Sequence, residues 1–265
     1  MSILVEQKRV AKEFKDITPK VSIVMPAYNV GNKIDQVLGS LLKTLESITK
    51  NYEIIIVDDG SQKPPSSSMI SLDSKVKVVR HKVNMGKGEA IKTGVRHATG
   101  DYTILMDADG DISSRNIKQY ITALKEYDVI VGSKRHPKSM YKAPAMRKFL
   151  SLSFNTMVKL LTGIKLGDTQ TGLKAFKTKH LKTIMNTIVV KRYTWDVEAL
   201  LVANLLKLKV AEAPVYIRQD SRFSFRAVLN MLIEILGITY RYRILRWYQK
   251  NLGKQNPEYK PLLKI

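Results

Sequence analysis

The sequence contains no cysteine among its 265 residues. Disulfide bonds, thiolate metal sites and a cysteine nucleophile are therefore excluded, and the composition is compatible with a reducing cytosol. The chain also has no run of 18 or more apolar residues, so it predicts no transmembrane helix. The first twenty residues are basic and lack the apolar segment of a signal peptide.

Acidic residues are scarce relative to basic ones. The chain has 23 Asp and Glu against 45 Lys and Arg, a formal net charge of +22. This excess predicts attraction to polyanions such as nucleic acid, anionic lipid or phosphorylated ligands. A nucleic-acid-binding module is the alternative that the charge alone raises, and it would bind with a steep salt dependence. The chain shows no recognised nucleic-acid motif, so nucleic acid is not a predicted partner.

Short apolar runs alternate with helical patterns through the first half of the chain. Since continuous apolar strands are typical of sheets covered on both faces, this predicts an α/β fold, a Rossmann-like, mostly parallel sheet with helices on both faces. The predicted strands are residues 21–26, 52–57, 76–80, 102–106 and 128–131, and the predicted helices are residues 31–50, 86–98 and 114–126.

The second half predicts further helices and two strands. We expect helices at 141–161 and 196–206, a strand within 169–176, a strand at 210–217, and amphipathic basic helices from 223 to about 250. The predicted organisation is a basic segment 1–20, a main domain 21–222 with halves 21–135 and 136–222, and C-terminal helices and tail 223–265.

Polar and acidic side chains follow three of the predicted strands, where ligands of open α/β sheets bind. Asp107 and Asp109, separated by the small Ala108, are placed to face one hard cation, Mg²⁺ or Mn²⁺, which would supply counter-charge to a diphosphate. A simple turn is the alternative. The other residues at these strand ends are Pro26, Ala27, Tyr28, Asn29, Asp58, Asp59 and Asp111.

Two of these features have equally plain structural interpretations. Asp58 and Asp59 offer acceptors for a base and a ribose, or they form a tight turn with Gly60. Lys87 opens a helix between two glycines, which favours either an anion at the helix N-terminus or a close entry of the chain into the helix.

Four runs in a fixed order carry a family resemblance. VSIVMPAYN, EIIIVDDGS, NMGKGEAIKTGV and GDYTILMDADGD resemble the nucleotide-sugar domain of family 2 inverting glycosyltransferases over residues 21–135. The resemblance implies a GT-A fold and a metal-dependent glycosyltransferase. Val30 departs from it, because the family usually has an acidic residue there.

Later runs narrow the resemblance to the polyprenyl-phosphate branch of that family. They are residues 132–135 (GSKR), 168–176 (DTQTGLKAF) and 195–198 (WDVE), and they are closer to dolichyl-phosphate glucosyltransferases than to the mannose synthases. The implied reaction transfers a hexose, with glucose favoured, from UDP-glucose to dolichyl or polyprenyl phosphate with inversion, at the cytoplasmic face of a membrane. GDP-mannose as donor and a glycan hydroxyl as acceptor stay open as alternatives.

The resemblance also implies roles for individual residues. It places Ala27, Tyr28, Asp58 and Asp107 at the nucleotide sugar, Asp109 and Asp111 at the metal, and Lys134, Arg135, Arg147 and Arg222 at the acceptor phosphate. The strand ends and the helix start add Pro26, Asn29, Asp59, Lys87 and Ala108 to the predicted nucleotide-sugar contacts. The predicted catalytic residues are Asp107, Asp109, Asp168 and Asp196. Lys134 is a departure, because arginine is common there.

Several roles are left open by the sequence. Asp168 and Asp196 would either orient sugar hydroxyls or hold basic groups in place, and Asp196 would alternatively cap a helix. A glycan acceptor would need a general base, for which Asp196 and Glu198 are the candidates. The arginines and aromatic residues of 240–248 favour a helix at a membrane surface over a solvated helix packed on the domain. A homo-oligomer or a membrane-anchoring partner is also expected.

Overall fold

A computed structural model of the protein describes residues 19–65, 74–219 and 225–255. Its strands are β1 (Val21–Ala27), β2 (Tyr52–Asp58), β3 (Val76–Arg80), β4 (Tyr102–Leu105), β5 (Val129–Ser133), β6 (Met140–Lys142), β7 (Lys174–Lys177), β8 (Val210–Pro214) and β9 (Tyr216–Arg218). Its α-helices are α1 (Lys33–Glu46), α2 (Lys87–His97), α3 (Ile117–Ala123), α4 (Ala145–Thr162), α5 (Thr178–Thr187), α6 (Trp195–Leu205), α7 (Phe225–Thr239) and α8 (Trp247–Gln255).

Seven strands form one sheet in the order β3-β2-β1-β4-β7-β5-β8. Every neighbouring pair is parallel except the two that involve β7, which runs antiparallel between β4 and β5. The predicted mostly parallel sheet is confirmed. The predicted halves 21–135 and 136–222 share this sheet, because β7 and β8 flank β5.

Side chains of the central strands alternate between two hydrophobic cores, as the period of two in a strand requires. In β1, Ile23 and Met25 lie in the core under α1 and α3, whereas Val24 lies in the core under α2, α5 and α6. Both faces of the sheet are therefore covered, which explains why these strands are continuously apolar.

Several element boundaries differ from the sequence prediction. The predicted helix at 141–161 begins at Ala145, after Pro144, because proline suits the start of a helix and not its interior. Residues Met140–Lys142 instead form β6, which pairs with β9 in a second, two-stranded sheet. The predicted strand 210–217 is two strands in different sheets, β8 and β9, separated by Val215. The helix α5 was not predicted.

The C-terminal part is helical, as predicted, but it is interrupted. A π-helical turn at Tyr240–Ile244 separates α7 from α8. No helix in the described ranges is long and apolar enough to cross a membrane. The predicted boundaries near residues 20 and 222 stay predictions, since residues 1–18 and 220–224 lie outside the described residues.

Candidate active site

Three clefts meet at the carboxyl end of β4. The β1–β4 cleft has a volume of about 560 Å³, the α4–α7 cleft about 490 Å³, and the β6–β9 cleft about 820 Å³. Asp109 lines all three, while Asp107 and Lys87 line the first two. The chain therefore brings the predicted metal ligand to the point where separate binding spaces join.

Most of the residues predicted to bind a nucleotide sugar lie around one space. The β1–β4 cleft is lined by Pro26, Ala27, Tyr28, Asp59, Lys87, Asp107, Ala108 and Asp109, together with Val30, Asn84, Gly86, Ala90, Arg192 and Tyr193. Six of its fourteen lining residues therefore lie outside the prediction. Asp58 and Asn29 do not line it, so their predicted nucleotide contacts stay predictions.

Asp58 and Asp59, at the end of β2, hold the turns beside this cleft in place. Asp59 accepts hydrogen bonds from the backbone N–H of Met85 (2.9 Å) and Gly86 (2.8 Å), and its Oδ1 lies 2.7 Å from Nδ1 of His81. These contacts fix the turn that precedes α2. Asp58 accepts from the backbone of Ser61 at 3.1 Å, which closes the turn after β2.

Asp58 and Asn29 make further local contacts. The buried Oδ2 of Asp58 lies 3.2 Å from Nε of Arg80. Asn29, at a positive φ of 52°, donates its N–H to Oγ of Ser61 and accepts from the N–H of Gln62. Both residues thus hold the 60–62 turn against β1.

Lys87 neutralises Asp107. Its Nζ lies 2.7 Å from Oδ1 and 2.8 Å from Oδ2 of that carboxylate. Burial disfavours the charge of Lys87, yet Asp107 and the neighbouring carboxylates raise the pKa of this lysine above its usual value. The position of Lys87 at a helix N-terminus left a phosphate contact open, and the contact that the structure describes is with Asp107.

Asp109 and Asp111 carry negative charge that the described residues compensate poorly. Burial raises the pKa of Asp109, and the charge of Asp107 raises it further. Burial likewise raises the pKa of Asp111, and the charge of Asp109 adds to this effect. A divalent cation would relieve this repulsion, and carboxylate oxygens are donors that Mg²⁺ and Mn²⁺ prefer. The residues present fit such an ion.

The donor set at this position is small. Within residues 19–65, 74–219 and 225–255, no three Asp, Glu or His side chains lie together in a geometry that could hold a metal unaided. Mg²⁺ commonly takes only one or two carboxylates and completes its shell with phosphate oxygens and water. The arrangement of Asp109 and Asp111 therefore suits a metal that binds together with a phosphorylated ligand.

The α4–α7 cleft combines cations with apolar side chains. Lys134 and Arg147 line it, as does Asp196, while Leu150, Phe154 and Met157 of α4 and Val228, Met231 and Leu232 of α7 supply the apolar walls. This combination can bind a phosphate that carries a hydrocarbon chain.

One of the predicted phosphate-binding residues, Arg135, lies elsewhere. Arg135 does not line the α4–α7 cleft; its guanidinium donates to the carbonyls of Gly167 (2.6 Å) and Ser151 (3.2 Å), so it joins the 133–136 turn to α4. Arg222 lies outside the described residues.

Asp168 holds a basic group in place. It is buried, and its Oδ2 lies 2.7 Å from Nζ of Lys134, 3.0 Å from the N–H of Lys134 and 2.7 Å from Oγ1 of Thr171. Burial alone would raise the pKa of Asp168, but Lys134 and Thr171 lower it to about 2. Of the two roles that the sequence left open, these contacts favour the positioning of Lys134.

Asp196 lies at the α4–α7 cleft with a buried lysine behind it. Nζ of Lys174 is 3.4 Å from Oδ2 of Asp196, donates to the carbonyl of Thr171 at 2.5 Å and lies 5.5 Å from the centre of the Trp195 ring. Burial raises the pKa of Asp196 and lowers that of Lys174. Because α6 begins at Trp195, Asp196 lies in its first turn and is not its cap.

Glu198 does not face any of the three clefts. It is fully buried and accepts hydrogen bonds from the backbone N–H of Val189 (2.9 Å) and Val190 (2.7 Å) and from the hydroxyl of Tyr248. The expectation that it could act as a general base is wrong, because its carboxylate is enclosed by structural partners. Asp196 is the candidate that remains at the cleft.

Several residues that line the clefts had no role in the sequence prediction. Tyr193 lines both the β1–β4 and α4–α7 clefts, Arg192 lines the first, and Tyr141 lines the second. Arg192 and Tyr193 lie just before the 195–198 run, separated from it by Thr194, and this closeness in sequence was the available signal. Lys174 stood inside the 168–176 run without an assigned role.

Comparison with known proteins agrees with this arrangement. The family model described as "Glycosyl transferase family 2" matches residues 22–185, which is more than half of the chain. The chain belongs to glycosyltransferase family 2. It is therefore a glycosyltransferase, and the family resemblance seen in the sequence is confirmed.

Individual relatives cover most of the chain. It is 28% identical over 245 residues to dolichyl-phosphate beta-glucosyltransferase ALG5A of Trichomonas vaginalis, covering 86% of this chain and 75% of the relative. It is 31% identical over 249 residues to UDP-N-acetylglucosamine–dolichyl-phosphate N-acetylglucosaminyltransferase of Methanococcus voltae, covering 85% and 94%. The expected polyprenyl-phosphate branch is thus confirmed by its relatives.

A solved structure confirms the GT-A-like fold. Glucosyl-3-phosphoglycerate synthase from Mycobacterium tuberculosis, in complex with Mn²⁺ and UDP-glucose, matches with a TM-score of 0.63 at 17% identity, covering 86% of this chain and 80% of that one. At this identity the similarity establishes the fold.

Proposed function

We propose that this glycosyltransferase transfers glucose from UDP-glucose to the phosphate of dolichol or another polyprenol, with inversion at the anomeric carbon. The relatives named for dolichyl-phosphate glucosyl transfer support the reaction. The observation that carries the proposal is the position of Asp109, which lines a polar cleft and a cationic, apolar-walled cleft at once. A donor and a lipid acceptor can meet there.

The β1–β4 cleft is the proposed donor site. Asp109 and Asp111 would hold Mg²⁺ or Mn²⁺, which supplies positive charge to the diphosphate as it leaves. Asp107 is held by Lys87 at the same edge of the cleft, where it can accept hydrogen bonds from a ribose or sugar hydroxyl. The similar structure that contains Mn²⁺ and UDP-glucose supports both ligands.

The α4–α7 cleft is the proposed acceptor site. Lys134, held by Asp168, and Arg147 would bind the acceptor phosphate through charge-assisted hydrogen bonds. A phosphate monoester is already ionised at neutral pH and needs no strong base, so Lys134 and Arg147 have only to orient it towards the sugar. Asp196 would contact a sugar hydroxyl, and the buried Lys174 would position it.

The helices that wall the acceptor cleft also carry an exposed apolar surface, which supports a peripheral position at a membrane; the face that we propose is the cytoplasmic one. Phe149 is 64% exposed, Leu160 74% and Ile233 61%. Their burial in a bilayer would bring a membrane-resident acceptor to the α4–α7 cleft. The apolar surface comprises Met146, Phe149, Leu152 and Leu160 of α4 and Leu229, Ile233 and Leu236 of α7.

A second sugar is favoured by one comparison. The Methanococcus voltae relative is named for N-acetylglucosamine transfer to dolichyl phosphate and has the higher identity, 31%. We therefore add UDP-N-acetylglucosamine as a candidate donor beside UDP-glucose and GDP-mannose. A homo-oligomer or an anchoring partner stays a prediction.

A substrate panel tests the proposal. Purified protein is offered UDP-glucose, UDP-N-acetylglucosamine and GDP-mannose, each with dolichyl phosphate or with a free glycan, and each with Mn²⁺, Mg²⁺ or EDTA. We expect a lipid-linked glucose that forms only with a divalent ion. Transfer to the glycan and not to the lipid phosphate would overturn the acceptor assignment. Equal transfer in EDTA would overturn the proposed requirement for a divalent metal ion.

One substitution tests the central residue. Asp109→Asn removes the carboxylate that lies at all three clefts, so we expect transfer to fall by about 100-fold or more, as for the loss of a preorganised electrostatic group. Because burial and Asp107 disfavour the charge of Asp109, the melting temperature without metal should not fall. Near-full turnover in this variant would contradict the account.

A further inference from the structure

The loop formed by residues 188–194, here called the 188–194 loop, packs directly on the turn that opens α2. A Cβ added to Gly86 would lie 2.5 Å from the carbonyl oxygen of Lys191 and 2.8 Å from Cγ of Arg192. A Cβ on Gly88 would lie 2.8 Å from the carbonyl oxygen of Val190. These two glycines are therefore explained by the close approach of the loop, which brings Arg192 and Tyr193 to the β1–β4 cleft.

The loop is fixed at both ends by buried or half-buried carboxylates. Glu198 binds the N–H groups of its first half, as described above. Glu234 of α7 accepts from the N–H of Tyr193 (3.1 Å) and from the N–H (2.8 Å) and hydroxyl (3.0 Å) of Thr194. The N–H of Glu89 also donates to the carbonyl of Lys191 at 3.2 Å. The backbone of the loop is therefore held in place, although the side chains of residues 191–193 are exposed.

One of the two cationic side chains that line the β1–β4 cleft forms no ion pair with a described carboxylate. Lys87 and Arg192 are the lysine and arginine that line it, and Lys87 is bound to both oxygens of Asp107. Arg192 has no carboxylate within ion-pair distance among residues 19–65, 74–219 and 225–255. Three aspartates, Asp59, Asp107 and Asp109, line the same cleft.

We propose that Arg192 is a binding residue for the diphosphate of the donor, presented to the cleft by the 188–194 loop. This inference rests on the proposed nucleotide-sugar site. A guanidinium binds phosphate oxygens through two parallel N–H donors, which a lysine cannot reproduce. Arg192 and Asp109 line the same cleft, and Tyr193, the next residue of the loop, lines both the β1–β4 and the α4–α7 cleft.

Nucleotide binding tests the proposal. The dissociation constants of UDP, GDP and uridine are measured for the wild type, Arg192→Ala, Arg192→Lys and the control Lys191→Ala, whose exposed side chain precedes Arg192 and does not line the cleft. We expect Arg192→Ala to weaken UDP binding about tenfold or more while uridine binding is unchanged, since the lost contact is to a charged group. Arg192→Lys should recover part of the loss, and Lys191→Ala should match the wild type.

The outcomes separate this inference from the proposed function. Unchanged UDP binding in Arg192→Ala would overturn the role of Arg192 and leave the donor site intact. Equal weakening of UDP and uridine would also overturn it, because the residue would then act on the base or the fold. Binding of neither UDP nor GDP by the wild type would overturn the donor site and this inference together.

Discussion

Gly172 shows how the absence of one side chain sets the geometry of the catalytic edge. A Cβ at this position would lie 2.1 Å from Oδ2 of Asp107, the carboxylate that pairs with Lys87. The glycine was visible in the 168–176 run, but the sequence could not reveal its contact with a residue 65 positions away, because the antiparallel pairing of β7 with β4 was not predicted.

Replacing this glycine should damage the site more than the fold. In Gly172→Ala the methyl group displaces Asp107, and a shift of about 1 Å at a reacting centre costs about 100-fold in rate. We expect transfer activity to fall by that order with the circular dichroism spectrum unchanged. Gly237→Ala is the matched control, because its Cβ meets only Arg241, at 3.5 Å. Equal activity of both variants would show that Asp107 tolerates displacement.

Glu53 provides a pH-dependent test at the opposite end of the sheet. Burial would raise the pKa of this carboxyl, but hydrogen bonds from Thr99 and Ser22 and the charge of Lys20 lower it from 4.5 to about 2. A lowered pKa means that its stabilisation is complete above pH 4.5 and is lost as the pH falls towards 2.

Glu53→Gln should therefore lower the free energy of unfolding by about 2 kcal/mol at pH 7. The difference from the wild type should shrink between pH 4.5 and 2, as measured by urea denaturation at several pH values. The exposed Glu46, changed to Gln, is the control and should alter stability little at any pH. A difference that grows on acidification would contradict the assigned shift.

At the scale of elements, the regular pattern was predictable and the exceptions were not. Apolar runs predicted β1, β2, β4 and β5 within a residue or two, because each is buried on both faces and ends at a turn. A strand was predicted within 169–176, where β7 begins, but its place and direction in the sheet could not be predicted, because a strand of four residues carries no information on direction. Likewise, β6 is three largely exposed residues whose partner, β9, lies far along the chain.

The contact between α7 and the 188–194 loop predicts a coupling between the acceptor wall and the donor cleft. Glu234→Ala removes three hydrogen bonds to Tyr193 and Thr194, so we expect the KM for the nucleotide sugar to rise about tenfold. Glu234→Gln keeps an acceptor oxygen and should restore most of the affinity. Steady-state kinetics check this, with the exposed Glu126→Ala as control; an unchanged KM in Glu234→Ala would show that the loop needs no support from α7.

At the scale of the whole molecule, charge and apolar exposure act together. The net charge of +22 favours an anionic surface, while the exposed apolar residues of α4 and α7 flank the acceptor cleft. The charge was evident from composition alone. The apolar face was not, because a sequence cannot show which side of an amphipathic helix lacks a packing partner.

Vesicle binding checks this combination. We expect the protein to sediment with vesicles that contain anionic phospholipid, with binding weakened by salt, since each basic residue near such a surface contributes about 1 kcal/mol. Ile233→Asp should reduce vesicle binding and transfer to dolichyl phosphate, but not transfer to a short, water-soluble polyprenyl phosphate. Tyr127→Asp, at an exposed site before β5, is the control. Loss of both activities in Ile233→Asp would indicate a folding defect instead of a membrane role.

The most direct test of the whole account is the location of the metal. Crystals grown with UDP and Mn²⁺, measured at the manganese absorption edge, give an anomalous map that marks the ion independently of the refined coordinates. The account predicts a peak at the Asp109 and Asp111 carboxylates, in contact with the diphosphate of UDP in the β1–β4 cleft. A manganese peak away from Asp109, or UDP bound in another cleft, would contradict it.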